Sequence, residues 1–179
     1  MIKELKILVC GSGPSLPLQL KGVDLSDFFV VRVNPWYEID GYDNKCDAWA
    51  FYPYSDFGFG WYLERAKYLW MPHFSMYSDC VCVTGRKPDY IISLQDTFDF
   101  HCIINHKNPT SGAVVIYMAT LLNKDVYIAG FDFSTKGKQY YYNDIKVKTE
   151  SINHHKQWIE EKWANGLIDS GKLFKLGAN

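Results

Sequence analysis

The stretch TSGAVVIYMATLLNKDVYIAGFDF, residues 110–133, reads as a helix running into a strand. Thr110 and Ser111 offer capping hydroxyls, Gly112 opens the helix, and the apolar run AVVIYMATLL carries it to Asn123. DVYIAG then reads as a strand with apolar residues in near-continuous succession. That pattern belongs to a strand covered on both faces, as in a parallel sheet, and not to one with a wet side.

Moving outward, residues 5–10 (LKILVC) and 28–33 (FFVVRV) carry the same signature. Shorter β-rich runs are expected at 48–52, 68–71, 90–93, 102–105 and 173–176. A second helix is expected to begin within 151–155 and run to Gly171, because Trp158, Ile159, Trp163 and Leu167 recur at helical spacing. Strands alternating with helices give a Rossmann-like α/β fold, a mostly parallel sheet with helices on both faces. At 179 residues the chain is expected to form a single domain, 1–179, long enough to bury a sizeable core. Residues 134–150 (STKGKQYYYNDIKVKTE) hold four lysines and a tyrosine triplet. They follow a core strand, where a lid or a solvated hairpin would equally fit.

The formal net charge is −1, from 19 basic and 20 acidic residues, and no charge block stands out, which argues against nucleic-acid binding. Aromatic residues make up 17% of the chain, enough to line a pocket with rings. The five cysteines do not show metal-ligand spacing; Cys10, Cys80, Cys82 and Cys102 sit in apolar or β-like contexts and are expected to be buried free thiols. No leader is visible before the first strand, and the longest apolar run is too short to span a bilayer, so a cytoplasmic location is expected.

Three short motifs follow predicted strands and two open predicted helices. In Gly11-Ser12-Gly13-Pro14-Ser15, paired glycines let backbone come close to a ligand, and serines at a helix start can face an anion. The stretch lacks the third glycine of a dinucleotide loop and the lysine of a Walker loop. Asn34, after Arg32-Val33, could pair its amide with a base or sugar, or cap a turn before Pro35. Thr110-Ser111-Gly112 and Gly130-Phe131-Asp132-Phe133 each read as either ligand contact or plain turn chemistry. His154-His155 supplies a general-base candidate. There is no Asp-x-Asp to hold a divalent ion against a diphosphate, which points to a metal-free reaction or to no transfer.

In this order GSGPSL, RVNPWY, KCDA, NPTSGAVVIYMA, YIAGFDF and a histidine before an amphipathic helix resemble the bacterial sialyltransferases of glycosyltransferase family 42. The resemblance implies a CMP-sugar site and metal-independent, inverting transfer of sialic acid from CMP-N-acetylneuraminate to a galactose or sialic acid hydroxyl, with no cofactor. The acceptor class it implies is a glycan or lipooligosaccharide. It further implies His155 as base, with His154 the alternative, and Tyr140 as donor to the leaving phosphate. The nucleotide-sugar contacts it implies are Gly11, Ser12, Gly13, Pro14, Ser15, Asn34, Thr110, Ser111, Gly112, Gly130, Asp132 and Phe133. Ser12 and Ser134 stand where the family pattern has asparagine and tyrosine. A non-catalytic CMP or glycan module, and a transferase for another CMP-sugar such as CMP-Kdo, are the competing expectations. A homo-oligomer and peripheral contact with the inner membrane are compatible with all of them.

Overall fold

The computed structural model describes residues 5–53, 58–133 and 157–177. Seven strands form one parallel sheet: β1 (Lys6–Cys10), β2 (Phe28–Val33), β3 (Ala48–Ala50), β4 (Tyr68–Met71), β5 (Tyr90–Ile91), β6 (Val126–Ala129) and β7 (Phe174–Lys175). Their spatial order is β5-β4-β3-β2-β1-β6-β7. The chain thus builds outward from β1 to β5, then returns to the other side of β1. In open α/β sheets a crevice forms at such a reversal, outside the carboxyl ends of the strands. Here it falls between β1 and β6.

Helices α1 (Leu16–Leu20), α2 (Phe59–Arg65) and α3 (Tyr77–Thr84) accompany the first half. Helices α4 (Leu94–Ile104), α5 (Ser111–Leu122) and α6 (Gln157–Asp169) accompany the second. The alternate residues of the strands separate these two layers. Ile7, Val9, Val31 and Ile128 pack with α4, α5 and α6, whereas Leu8, Val30 and Ala129 pack with Leu16 and Leu20 of α1. Trp49 and Phe51 complete that second layer with Tyr62 of α2 and Cys80 of α3. Both faces being covered, strands 5–10 and 126–129 had to read as continuous apolar runs, and they do. Each fully buried aliphatic side chain here is worth about 1.5–3 kcal/mol of transfer free energy.

Two expectations need correction. Residues 102–105 are not a strand: they form the last turn of α4 and its cap. Ser93 starts that helix by accepting from the Asp96 N–H at 2.9 Å, and Phe100 and Ile104, four apart, are its buried residues. Asn105 ends it at φ 49 in the left-handed region. A cap and an i,i+4 core pair outweigh the β propensity of Cys-Ile-Ile. Cys82 and Cys102 are exposed, on the solvent sides of α3 and α4, while Cys10 and Cys80 are buried as expected. No helix among the described residues is long and apolar enough to cross a membrane.

These positions make a labelling prediction. Burial pushes the Cys46 thiol up to about 12 despite the opposing Arg32 guanidinium, and it raises Cys10 and Cys80 as well. A thiolate is the reactive form. Native protein at pH 8 is therefore expected to react quickly with a thiol reagent at Cys82 and Cys102. Cys10, Cys46 and Cys80 should follow only on unfolding, and peptide mapping of the labelled protein checks this.

Candidate active site

The β1 and β6 ends are fastened together. Gly11 N–H donates to Ala129 O at 2.8 Å and Gly13 N–H to Gly130 O at 2.8 Å. A Cβ on Gly11 would lie 2.5 Å from Gly130 O, and one on Gly13 would lie 2.6 Å from the same oxygen and closer still to the Asp132 carboxylate. Gly130 itself is at φ 68 and would place a Cβ 2.7 Å from Gly11 O. No side chain fits at any of the three. The close approach that the glycines permit is thus between two strand ends, and a ligand is not needed to account for it.

The start of α1 is likewise occupied from within. Asp132 Oδ2 accepts from Ser15 N–H at 3.0 Å, so the anion at that helix start belongs to the protein. Ser15 Oγ donates to Gln19 Oε1 at 3.2 Å, and that oxygen also accepts from Gly130 N–H at 2.7 Å. Ser12, buried, donates its hydroxyl to Pro35 O at 2.8 Å and so ties the loop to the end of β2. Pro14 is the exposed tip of the loop.

Asn34 follows β2 in the left-handed region at φ 56, a conformation asparagine tolerates better than most residues. Its N–H donates to Ala50 O at 2.7 Å and its carbonyl accepts from Trp49 Nε1 at 2.9 Å. Its side-chain oxygen is buried with no hydrogen-bond partner among the described residues. Leaving such an acceptor unpaired costs about 1–3 kcal/mol. Two residues upstream, Arg32 is 1% exposed, with Nε donating to Lys45 O at 3.2 Å and the guanidinium 5.0 Å from the centre of the Trp36 ring. Its two terminal nitrogens and Trp36 Nε1 are also buried without hydrogen-bond partners among the described residues.

The third strand-end element is the N-terminus of α5. Thr110 is its N-cap, accepting from Ala113 N–H at 3.2 Å. Glu160, on α6 and 1% exposed, grips the same residue. Its carboxylate accepts from Thr110 N–H at 2.6 Å and from the Thr110 hydroxyl at 2.7 Å. Ser111 Oγ lies 3.0 Å from Nε2 of His73, which follows β4 and meets the Tyr52 ring edge-on at 5.4 Å. Gly112 is overlain by Phe131: a Cβ there would come 2.8 Å from that ring. Phe133 closes the β6 turn at φ 45, a strained conformation for a bulky residue.

Residues 11–15 and 130–133 are joined by the bonds just given, Ser12 ties them to Pro35 beside Asn34, and the Phe131 ring overlies Gly112, so that residues 11–15, 34, 110–112 and 130–133 lie along one carboxyl edge of the sheet. Tyr140, His154, His155, Ser134 and the whole segment 134–150 lie outside the described residues. Two residues of this edge went unread in the sequence, His73 and Glu160. Glu160 did leave a signal: it stands three residues before Trp163 and seven before Leu167, on the inward stripe of α6. Trp158, expected in that stripe, is instead 65% exposed. A carboxylate on a helix's buried face needs donors, and the α5 start provides them. Among the described residues no group of three or more His, Cys, Asp or Glu comes together to hold a metal ion.

The doubly wound sheet sets the fold, and the match to a family model makes the protein an α/β enzyme of the sialyltransferase-like glycosyltransferase class. The model of glycosyltransferase family 29 (sialyltransferase) matches residues 63–172, more than half of the chain, and the chain belongs to that family. No curated protein matched it in sequence. The fold is similar to that of the sialyltransferase CstII from Campylobacter jejuni, solved with CMP-3FNeuAc: TM-score 0.65, 23% identity, covering 97% of this chain and 82% of that one. It is also similar to a mammalian sialyltransferase, at TM-score 0.66 and 17% identity over 98% of this chain and 70% of that one. The monofunctional alpha-2,3-sialyltransferase Cst-I from Campylobacter jejuni gives TM-score 0.60 and 16% identity, over 100% and 78% respectively. At these identities the likeness is one of fold. The expected Rossmann-like α/β fold holds, and so does the coarser expectation of a sialyltransferase; the family whose model matches is 29, where family 42 was expected.

Proposed function

We propose that the protein transfers sialic acid from CMP-N-acetylneuraminate to a glycan hydroxyl, galactose or sialic acid, with inversion and without a metal. The observation that carries this is the family match together with the gathering of residues 11–15, 34, 110–112 and 130–133 at one sheet edge. In support, the relative CstII was solved with CMP-3FNeuAc and with cytidine-5'-monophosphate. We further propose that the layout follows the bacterial family 42 pattern, on the collinear motifs GSGPSL, RVN, TSG and GFDF.

In this reading each part of the edge has a task. The orphaned Asn34 oxygen accepts from the base or the ribose. The Gly11–Ser15 loop and residues Gly130, Asp132 and Phe133 shape the floor, with Gly130 and Asp132 holding the loop in place. Ser111 N–H and the Gly112 N–H, at the positive end of α5, face the anionic part of the donor. His155 takes the proton of the acceptor hydroxyl as that oxygen attacks the anomeric carbon, and the bond to CMP breaks on the opposite face. Tyr140 meets the charge growing on the leaving phosphate. A monophosphate leaving group carries less charge than a diphosphate and can be met by protein donors alone, so no metal enters the step.

A thermal-shift panel tests the donor class. With CMP at about 100 times its Kd, stabilisation of about 2.7 kcal/mol is expected. For a chain of this size that is a rise of about 5–11 °C in Tm. UDP and GDP sugars, with or without Mg²⁺, should leave Tm in place. A shift with those sugars and none with CMP would refute the proposal.

A further inference from the structure

His73 belongs to none of the motifs that drew attention to the sheet edge, yet its Nε2 lies 3.0 Å from Ser111 Oγ. We propose that His73 is a positioning residue for the donor. Its Nε2–H donates to Ser111 Oγ, leaving the Ser111 hydrogen directed at an anionic oxygen of the CMP-sugar. The inference deepens the sialyl-transfer reading and rests on it.

A serine hydroxyl has a single hydrogen and two lone pairs. If Ser111 gave its hydrogen to His73, it would turn only lone pairs toward the donor, and an anion there would be repelled. If His73 gives the hydrogen instead, Ser111 keeps its own for the ligand. Ser111 is the first residue of the 12-residue helix α5, whose start favours negative charge. The cap interactions do not consume the Ser111 hydroxyl, since Thr110 serves Ala113 and Glu160. Tyr52, edge-on against the imidazole, fixes the ring from the β3 side. Asn34, after β2 on the same edge, has a buried side-chain oxygen with no hydrogen-bond partner among the described residues.

The anionic oxygen belongs either to the phosphate or to the sugar carboxylate, and three probes separate them: cytidine, CMP and CMP-N-acetylneuraminate, each titrated calorimetrically. His73→Phe is expected to weaken binding of the anionic probes about ten- to a hundredfold, the scale of a hydrogen bond to a charged group. Cytidine affinity should hold. A loss already present with CMP assigns the phosphate, and one seen only with CMP-N-acetylneuraminate assigns the carboxylate. His73→Gln, which keeps an N–H at a similar reach, should restore most of the affinity, whereas His73→Glu, an acceptor only, should not. His73→Phe added to Ser111→Ala should cost little more than Ser111→Ala alone, because both remove one interaction. In turnover the loss should fall on donor KM and spare kcat.

Equal losses in His73→Phe and His73→Gln, an equal loss with cytidine, or full additivity with Ser111→Ala would each overturn the proposal. Should His73→Phe fail to fold, the contrast between His73→Gln and His73→Glu decides it. Wild-type protein that binds neither CMP nor CMP-N-acetylneuraminate refutes the sialyl-transfer reading and this inference together. Wild-type binding with an unaffected His73→Phe refutes this inference alone.

Discussion

His155→Ala is expected to reduce CMP release from CMP-N-acetylneuraminate by about 10²–10⁴-fold, the usual worth of a positioned general base. CMP affinity and Tm should stay near the wild-type values, because the base acts on the acceptor and not on the nucleotide. His154→Ala is the control for register. The described part of α6 starts at Gln157, and the two histidines stand two and three residues before it in sequence. If His154→Ala abolishes release and His155→Ala spares it, the base is His154. Loss of CMP binding in either variant would show that the segment holds the donor, which contradicts the role proposed for it. Initial rates of CMP release, beside calorimetric Kd values, separate these outcomes.

The second large effect is structural. Glu160→Ala removes the carboxylate that receives both the N–H and the hydroxyl of Thr110. Hydrogen bonds to a charged acceptor contribute about 1.5–3 kcal/mol each, and the donors are left partly buried. A loss of about 3 kcal/mol is expected, or roughly 6–12 °C in Tm for a chain of this length. Glu160→Gln keeps one acceptor oxygen and should lose less than half as much. Because Glu160 joins α6 to the start of α5, the Ala variant should also weaken CMP binding in whatever fraction remains folded. A Tm drop of less than about 1 kcal/mol equivalent would mean that water replaces the carboxylate without loss, and that the link between the two helices carries little.

The fold was legible wherever burial on both faces forces a continuous apolar run. Phe28–Val33, Tyr68–Met71 and Val126–Ala129 are read at their true ends for that reason. Cys102-Ile103-Ile104 misled because β-branched residues also serve a helix, and only Ser93 and the Phe100–Ile104 spacing show which. The site was half legible. The sequence at Gly11 and Gly13 reports that a Cβ is forbidden, but not by what; the obstacle is the β6 turn. Ser12, standing where the family 42 pattern has asparagine, commits its hydroxyl to Pro35. Asp132 could be read as ligand contact or turn residue, and its bond to Ser15 N–H gives it a holding role. His73 and Glu160 reach the edge from β4 and α6, 38 and 50 residues from their partners, and pairings across such separations leave no local pattern.

The most direct test of sialyl transfer is product analysis. Wild-type protein is incubated in EDTA with CMP-N-acetylneuraminate and a galactose- or sialic-acid-terminated glycan, and CMP and the glycan are measured together. The account predicts stoichiometric release of CMP and gain of one sialic acid residue on the glycan, undiminished by EDTA. CMP-donor binding with no release from any acceptor, or release that requires a divalent metal, would contradict it.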